Sequence, residues 1–135
     1  MIKDIILTCK KEGDFTLHSG EKSSYLFDVM EIINDEFFQQ AFINFTRRDM
    51  LVGIEFGGAM LVMLVDAPFG FVRKDGTIYG YVPDNYTLVD DVVTTENSIR
   101  KAIEQIGKKP KKIKTIIDRR KIKTLDIESM LRWEE

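Results

Sequence analysis

This chain is poor in the features that mark secreted, fibrous or membrane-spanning proteins. It has one cysteine, Cys9, which excludes an internal disulfide and makes the cytoplasm the expected compartment. It has three prolines and no low-complexity tract, which argues against a disordered linker. No apolar run is long enough to cross a bilayer, and no membrane partner is expected. The first residues, MIKDIILTCKKEG, lack the long apolar centre and small-residue cleavage site of a secretory signal. Neither sign of charge dominates: 20 Lys and Arg against 22 Asp and Glu leave −2, with no global pull toward nucleic acid or anionic lipid. No internal repeat is present. What is there is a chain of 135 residues, 44% hydrophobic, long enough to bury a core and expected to form one domain over 1–135.

Apolar spacing divides the chain into short alternating elements. Ile2, Ile5, Ile6 and Cys9 predict an amphipathic helix over 2–11, stopped by Gly13. Residues 14–33 read as extended, with a turn at Ser19–Gly20 and a strand from Tyr25 to Ile33. Asn34 or Asp35 can cap a helix whose apolar face is Phe37, Phe38, Ala41, Phe42 and Phe45. A buried strand is expected at 50–56, helix at 59–65, strand at 69–74, turns over 75–85 and strand over Tyr86–Val89. Ile99, Ala102, Ile103 and Ile106 mark a helix ended by Gly107. Ile113–Ile117 reads as a strand, and Asp126 as the cap of a last helix carrying Ile127, Met130 and Leu131. Cys9 reads as core and Trp133 as an anchor for the tail. Strands alternating with helices imply an α/β fold, a mainly parallel sheet flanked by helices.

Three features would meet at the carboxyl edge of such a sheet. In LVDDVVTTENS (88–98) a strand delivers two carboxylates, Asp90 and Asp91, just before a helix N-terminus. Acids there can accept hydrogen bonds from vicinal hydroxyls, and the turn can hold a phosphate. In Glu55-Phe56-Gly57-Gly58 a strand breaks into paired glycines, which let backbone N–H groups form an anion nest. Arg73 and Lys74 end another strand with two adjacent cations suited to phosphate or pyrophosphate. The lysine run Lys108–Lys114 has no interleaved aromatics and reads as a solvated connection rather than a nucleic-acid patch. Tyr79, Tyr81 and Tyr86 surround the 75–85 segment, either capping the site or packing a subunit contact.

With these motifs in this order, the chain resembles a type I phosphoribosyltransferase, specifically an orotate phosphoribosyltransferase. GDFTLHSGEKSSYLFD (13–28), VGIEFGGAMLV (52–62), FVRKDGTIYG (71–80), LVDDVVTTENS and IIDRR (116–120) are similar to five family motifs, covering nearly the whole chain. The resemblance implies transfer of phosphoribosyl from phosphoribosyl pyrophosphate to orotate, with Mg²⁺ on the pyrophosphate and no separate metal ligands from the protein. An oxocarbenium-like transition state makes positioning and charge stabilisation the protein's task. Carried over by position, Asp90 and Asp91 hold the ribose hydroxyls, and Thr94, Thr95 and Ser98 the 5′-phosphate. Gly57 and Gly58, with Glu55 beside them, face the pyrophosphate, as do Arg73 and Lys74. Arg119 pairs with the orotate carboxylate, and Tyr25 and Phe27 pack the base. The family's sharing of a loop between subunits implies a homodimer.

The departures lie in the site. Glu96 stands where the family has a phosphate-loop glycine. A carboxylate about 4 Å from a phosphate costs on the order of 4 kcal/mol near a surface, and a positive φ at a non-glycine residue adds roughly 1 kcal/mol. Pointing outward instead, Glu96 merely suits the helix dipole. Thr77 and Tyr79 occupy the positions of a loop lysine and histidine, the loop is short, and His18 replaces a lysine. These departures leave two readings: an orotate phosphoribosyltransferase, or a non-catalytic sensor of phosphoribosyl pyrophosphate or a nucleotide on the same fold.

Overall fold

The computed structural model describes residues 1–134. Helix α1 (Ile2–Leu7) turns Ile6 fully inward but ends at Thr8, short of the expected residue 11. From Lys10 the chain is strand. β1 (Lys10–Thr16) pairs antiparallel with β2 (Lys22–Phe27), and cross-strand bonding satisfies backbone groups that a longer helix would leave at its frayed end. Gly13 is thus no helix stop; it lies where the pairing register shifts between Glu12 and Phe15. β2 ends at Phe27 rather than continuing to Ile33, because Val29–Glu31 close into a 3₁₀ turn. Helix α2 (Glu36–Phe45) begins as expected: the Asp35 carboxylate accepts from the Phe38 amide at 2.9 Å. Phe38 and Phe42 are core, whereas Phe37 is 58% exposed.

The remaining strands form one six-stranded sheet. They are β3 (Met50–Ile54), β4 (Gly70–Val72), β5 (Ile78–Gly80), β6 (Tyr86–Val93), β7 (Lys112–Asp118) and β8 (Glu128–Arg132), in spatial order β5-β4-β3-β6-β7-β8. Only β5 is antiparallel to its neighbour. Helix α3 (Gly57–Val62) follows β3 directly, two residues earlier than expected, and helix α4 (Asn97–Ile106) links β6 to β7. Gly107 ends α4 at φ +82°, a left-handed conformation that glycine adopts without steric cost. Successive residues of β6 serve opposite faces: Val89 packs with Ile6, Phe38, Phe42 and Leu61, and Leu88 with Ile99, Ala102 and Ile113.

Three further elements differ from expectation. The turn-rich 75–85 segment contains β5, held by pairing of Tyr79 with Phe71, whose rings stack 5.4 Å apart. β6 runs through both carboxylates to Val93 instead of ending at Val89, because β7 pairs with it along this whole length. The segment after Asp126 is strand β8 rather than a helix. Five residues are too few for a stable helix, whereas the free edge of β7 offers unpaired backbone groups that β8 satisfies. Tyr86 is fully buried core, its hydroxyl donating to the Lys108 carbonyl at 2.6 Å, and burial pushes that hydroxyl up to about 12. Cys9 is buried as expected, its thiol pushed to about 12 by burial and then by the charge of Asp28. The lysine run is tied down in part: buried Lys114 meets Asp49 at 2.7 Å and the Phe45 carbonyl at 2.7 Å. Among the described residues no helix is long and apolar enough to cross a membrane.

Replacing Asp35 with alanine removes the N-terminal side-chain cap of α2. Urea denaturation should show a loss of about 1 kcal/mol with unchanged m-value. No loss would mean that the Phe38 amide is satisfied as well by water.

Candidate functional site

Parallel strands β3, β4, β6 and β7 bring their carboxyl ends to one edge of the sheet, and a cleft of about 710 Å³ opens there beneath the β1–β2 hairpin. Its wall contains the residues that the three sequence features supplied. After β3 stand Glu55 and Gly57; after β4, Arg73 and Lys74; on β6, Asp90 and Asp91. The β6–α4 turn adds Thr94, the first turn of α4 adds Ser98, the segment after β7 adds Arg119, and the hairpin adds exposed His18 and buried Phe27. Tyr25, Gly58 and Thr95 stand outside this wall.

Backbone closeness explains the glycines. A Cβ on Gly57 would collide with the Asp91 carboxylate, and one on Gly58 with the Val89 carbonyl of β6. Gly57 therefore lets the β3–α3 turn lie against the acid pair, and Gly58 lets α3 lie against the strand that carries it. Asp91 donates its amide to Asp90 Oδ1 at 2.9 Å, and the Val92 amide donates to Asp91 Oδ1 at 2.8 Å. Asp90 is 9% exposed, and burial, then the charge of Asp91, pushes its carboxyl well above the usual range. Glu55 holds the cationic segment: Oε2 meets Arg73 Nε at 3.2 Å and Oε1 accepts from the Lys74 amide at 3.1 Å.

Beyond the acid pair, an aromatic cluster surrounds Arg119. Its guanidinium lies 4.2 Å from the centre of the Tyr25 ring, and Nη2 donates to Ser23 Oγ at 3.2 Å. Tyr25 backs the site from outside the wall, its hydroxyl accepting from Trp133 Nε1 at 3.0 Å; Phe27 packs edge-on to both rings. Trp133 does anchor the tail, its amide donating to the Asp118 carbonyl at 2.8 Å.

Glu96 does neither of the two things expected of it. It is 8% exposed, and its φ of −87° needs no glycine. The side chain turns away from the cleft onto the 119–125 loop. There it accepts from the Thr124 and Leu125 amides at 2.7 and 2.9 Å, from the Thr124 hydroxyl, and from Arg120 Nη1 at 2.7 Å. Arg120 is held in turn by Asp118 at 2.8 Å, and Arg100 closes the outside of the network at 2.9 Å from Glu96. Burial alone would raise the Glu96 carboxyl; the bonds from Thr124, Leu125 and Arg120 outweigh it and hold the group well below the usual carboxylate range. A residue identity could not show this, because the partners arrive from 24 to 29 positions away.

Sequence reading also missed Lys101 and Gln105, which line the cleft from α4. Their spacing of three and seven residues from Ser98 places them on one helical face with it, a signal present in the sequence.

No family model matches the chain. It is 31% identical over 144 residues to the orotate phosphoribosyltransferase of Methanosarcina mazei, covering 86% of this chain and 77% of that one. The chain belongs to the orotate phosphoribosyltransferase family. A solved orotate phosphoribosyltransferase from Aeropyrum pernix superposes with a TM-score of 0.69 at 27% identity, covering 88% of this chain and 82% of that chain. The Mycobacterium tuberculosis H37Rv enzyme solved with phosphoribosyl pyrophosphate shares the fold at TM-score 0.72 and 18% identity, over 97% and 93% of the two chains.

In this orotate phosphoribosyltransferase-family chain, the positions of the missing loop cations build a tight hairpin. The Thr77 amide donates to Asp75 Oδ1 and the Thr77 carbonyl accepts from the Arg73 amide, both at 2.9 Å, while the Tyr79 ring stacks on Phe71.

The Glu96 network carries a pH signature. Because its folded carboxyl titrates below the ordinary value of 4.5, its stabilisation is full above that pH and is lost as pH falls toward the folded value. At neutral pH, Glu96→Gln should cost about 3 kcal/mol, since Arg120 loses a buried counter-charge. The gap between variant and parent in urea denaturation should narrow as pH drops below about 5. A gap that stays constant with pH would show that the ionised carboxylate is not its source.

Proposed function

We propose that this protein is a working orotate phosphoribosyltransferase, transferring phosphoribosyl from phosphoribosyl pyrophosphate to orotate to give orotidine monophosphate and pyrophosphate. The observation that carries the reading is the single cleft uniting Asp90–Asp91, the Gly57 turn, Arg73–Lys74, the Thr94–Ser98 turn and Arg119. The strongest objection in the sequence, a carboxylate in the phosphate loop, is met by the inward turn of Glu96. The chain spans 77% of the Methanosarcina mazei relative.

The roles follow from the chemistry of each group. Asp91, with an oxygen at the cleft, accepts from the ribose hydroxyls; Asp90, its charge suppressed by burial, lowers the repulsion that two full carboxylates would present to an anionic donor. The turn amides and the Thr94 and Ser98 hydroxyls take the 5′-phosphate at the start of α4. Gly57, Arg73 and Lys74 face the pyrophosphate, with Glu55 orienting Arg73. Arg119 presents a planar fork to the orotate carboxylate against the Phe27 ring, 6.0 Å away, and His18 offers a donor at the rim.

Mg²⁺ suits this donor set. Among the described residues no group of three His, Cys, Asp or Glu could cage a metal, while the cleft offers the Asp91 carboxylate beside the buried Asp90 carboxyl. A magnesium ion that keeps most of its waters would need no more from the protein, and when bound would neutralise departing negative charge. A cytoplasmic homodimer completes the reading, supported by apolar surface at Phe37, Phe56 and Met63 that a second copy would cover.

Purified protein mixed with orotate, phosphoribosyl pyrophosphate and Mg²⁺ should consume orotate, followed by its absorbance, and Asp91→Asn should abolish the loss. No consumption by folded parent protein at high concentration would overturn the reading. Arg119→Lys should raise the KM for orotate about tenfold or more and leave that for phosphoribosyl pyrophosphate nearly unchanged, because an ammonium cannot make the bidentate contact. Equal effects on both substrates would place Arg119 elsewhere in the mechanism.

A further inference from the structure

The leaving group of this reaction carries most of the donor's negative charge, yet the β4–β5 hairpin offers few cations to meet it. Arg73 is neutralised by Glu55 at 3.2 Å. Thr77 and Tyr79 bring no charge. Helix α4 supplies what the hairpin lacks. Ser98, Lys101, Ala102 and Gln105 all line the cleft, a spacing that puts them on one face of the helix. The adjacent cation, Arg100, points the other way, bound to Glu96 at 2.9 Å and Thr124 at 2.8 Å. Lys101 makes no ion pair or hydrogen bond with any described residue, so its ammonium is available to the cleft.

The hairpin is seated against this part of α4. Gly76, at the hairpin turn with φ +89°, lies so close that a Cβ there would sit 3.3 Å from Gln105 Nε2. Lys101 is thus bracketed by the phosphate-binding turn at Ser98 on one side and the hairpin turn on the other, in the same wall as Arg73 and Lys74. The 5′-phosphate already has the amides and hydroxyls of the Thr94–Ser98 turn. The diphosphate, lying toward Gly57 and Arg73–Lys74, has only two cations, one of them paired.

We propose that Lys101 binds the diphosphate of the donor and supplies, from the same chain, the cation that the shortened hairpin does not carry. The proposal rests on the phosphoribosyl-transfer reading. A lysine suits the role: three donors on a flexible stem follow a diphosphate from its bridged to its released state without the fixed geometry of a guanidinium. The site is then complete at its leaving-group end within one subunit.

Calorimetric titration in Mg²⁺ buffer tests it with three ligands: phosphoribosyl pyrophosphate, inorganic pyrophosphate and orotidine monophosphate. Lys101→Met should weaken the first two about tenfold or more and the third less than about twofold, while Lys101→Arg keeps affinity within about threefold. Lys101 is exposed, so thermal denaturation of both variants should match the parent. Unchanged pyrophosphate affinity in Lys101→Met overturns the proposal, and an equal loss for orotidine monophosphate overturns it by moving the lysine to the 5′-phosphate. Failure of the parent to bind any of the three ligands would instead bring down the phosphoribosyl-transfer reading itself.

Discussion

A buried ion network centred on Glu96 and Arg120 joins the two ends of the cleft. Glu96 is the last residue before α4, at the β6–α4 turn; Arg120 follows Arg119, which lines the other end of the cleft. Their contact at 2.7 Å, with Asp118 on the far side of Arg120, locks a loop whose own secondary structure is nil. Each charge is expensive to bury alone and tolerable only with the others present, so the network forms as a unit or not at all. Its consequence for the site is positional. Asp118 and Arg120 flank Arg119, so the guanidinium that faces the cleft is carried on backbone held from both sides, and its own Ser23 and Tyr25 contacts need only set its last torsions.

Around that lock the sheet sets the spacing. β6 pairs with β3 on one side and β7 on the other, so its acid pair is flanked by the Gly57 turn and by the strand leading to Arg119. Glycine at 57 allows Asp91 to touch the β3–α3 turn, and glycine at 58 allows the helix behind it to close on Val89. Close approach of anion-binding amides to a carboxylate pair would be self-defeating if both acids were fully charged. Burial of Asp90 relieves this by holding its carboxyl toward the neutral form.

Most of this architecture was legible in the residues. Apolar runs followed by glycine or by paired charges marked the strand ends before Glu55 and Arg73 and the acid pair carried on β6, and these did converge on one cleft. The failures share one cause: local pattern cannot see a pairing partner. Met130 and Leu131 stood at helical spacing, but an open edge on β7 made them strand. Tyr86 stood among exposed tyrosines in sequence, but its place at the start of a central strand made it core. Glu96 was the sharpest case, because a lone acid in a phosphate loop looks repulsive until Arg120 and Thr124 are beside it. Lys101 was overlooked for the opposite reason. A lysine on an amphipathic helix is usually solvated, and only the seating of the hairpin against α4 makes its face part of the cleft.

The tight hairpin changes how this site must handle its leaving group. A long mobile loop delivers charge after the donor binds, and ordering it costs conformational entropy on every turnover. Here β4 and β5 are paired, Asp75 and Thr77 close the turn, and Gly76 rests near Gln105 before any ligand arrives. Backbone held at the end of a paired strand and on a helix keeps these cations near the cleft, so little reorganisation is needed as negative charge develops on the departing pyrophosphate. The same rigidity leaves less protein to fold over the reacting bond and exclude water, which weakens every electrostatic contact in the cleft. A lysine rooted on α4 and a guanidinium oriented by Glu55 are therefore suited to binding and positioning the donor, and gain in turnover would come from whatever covers the open side.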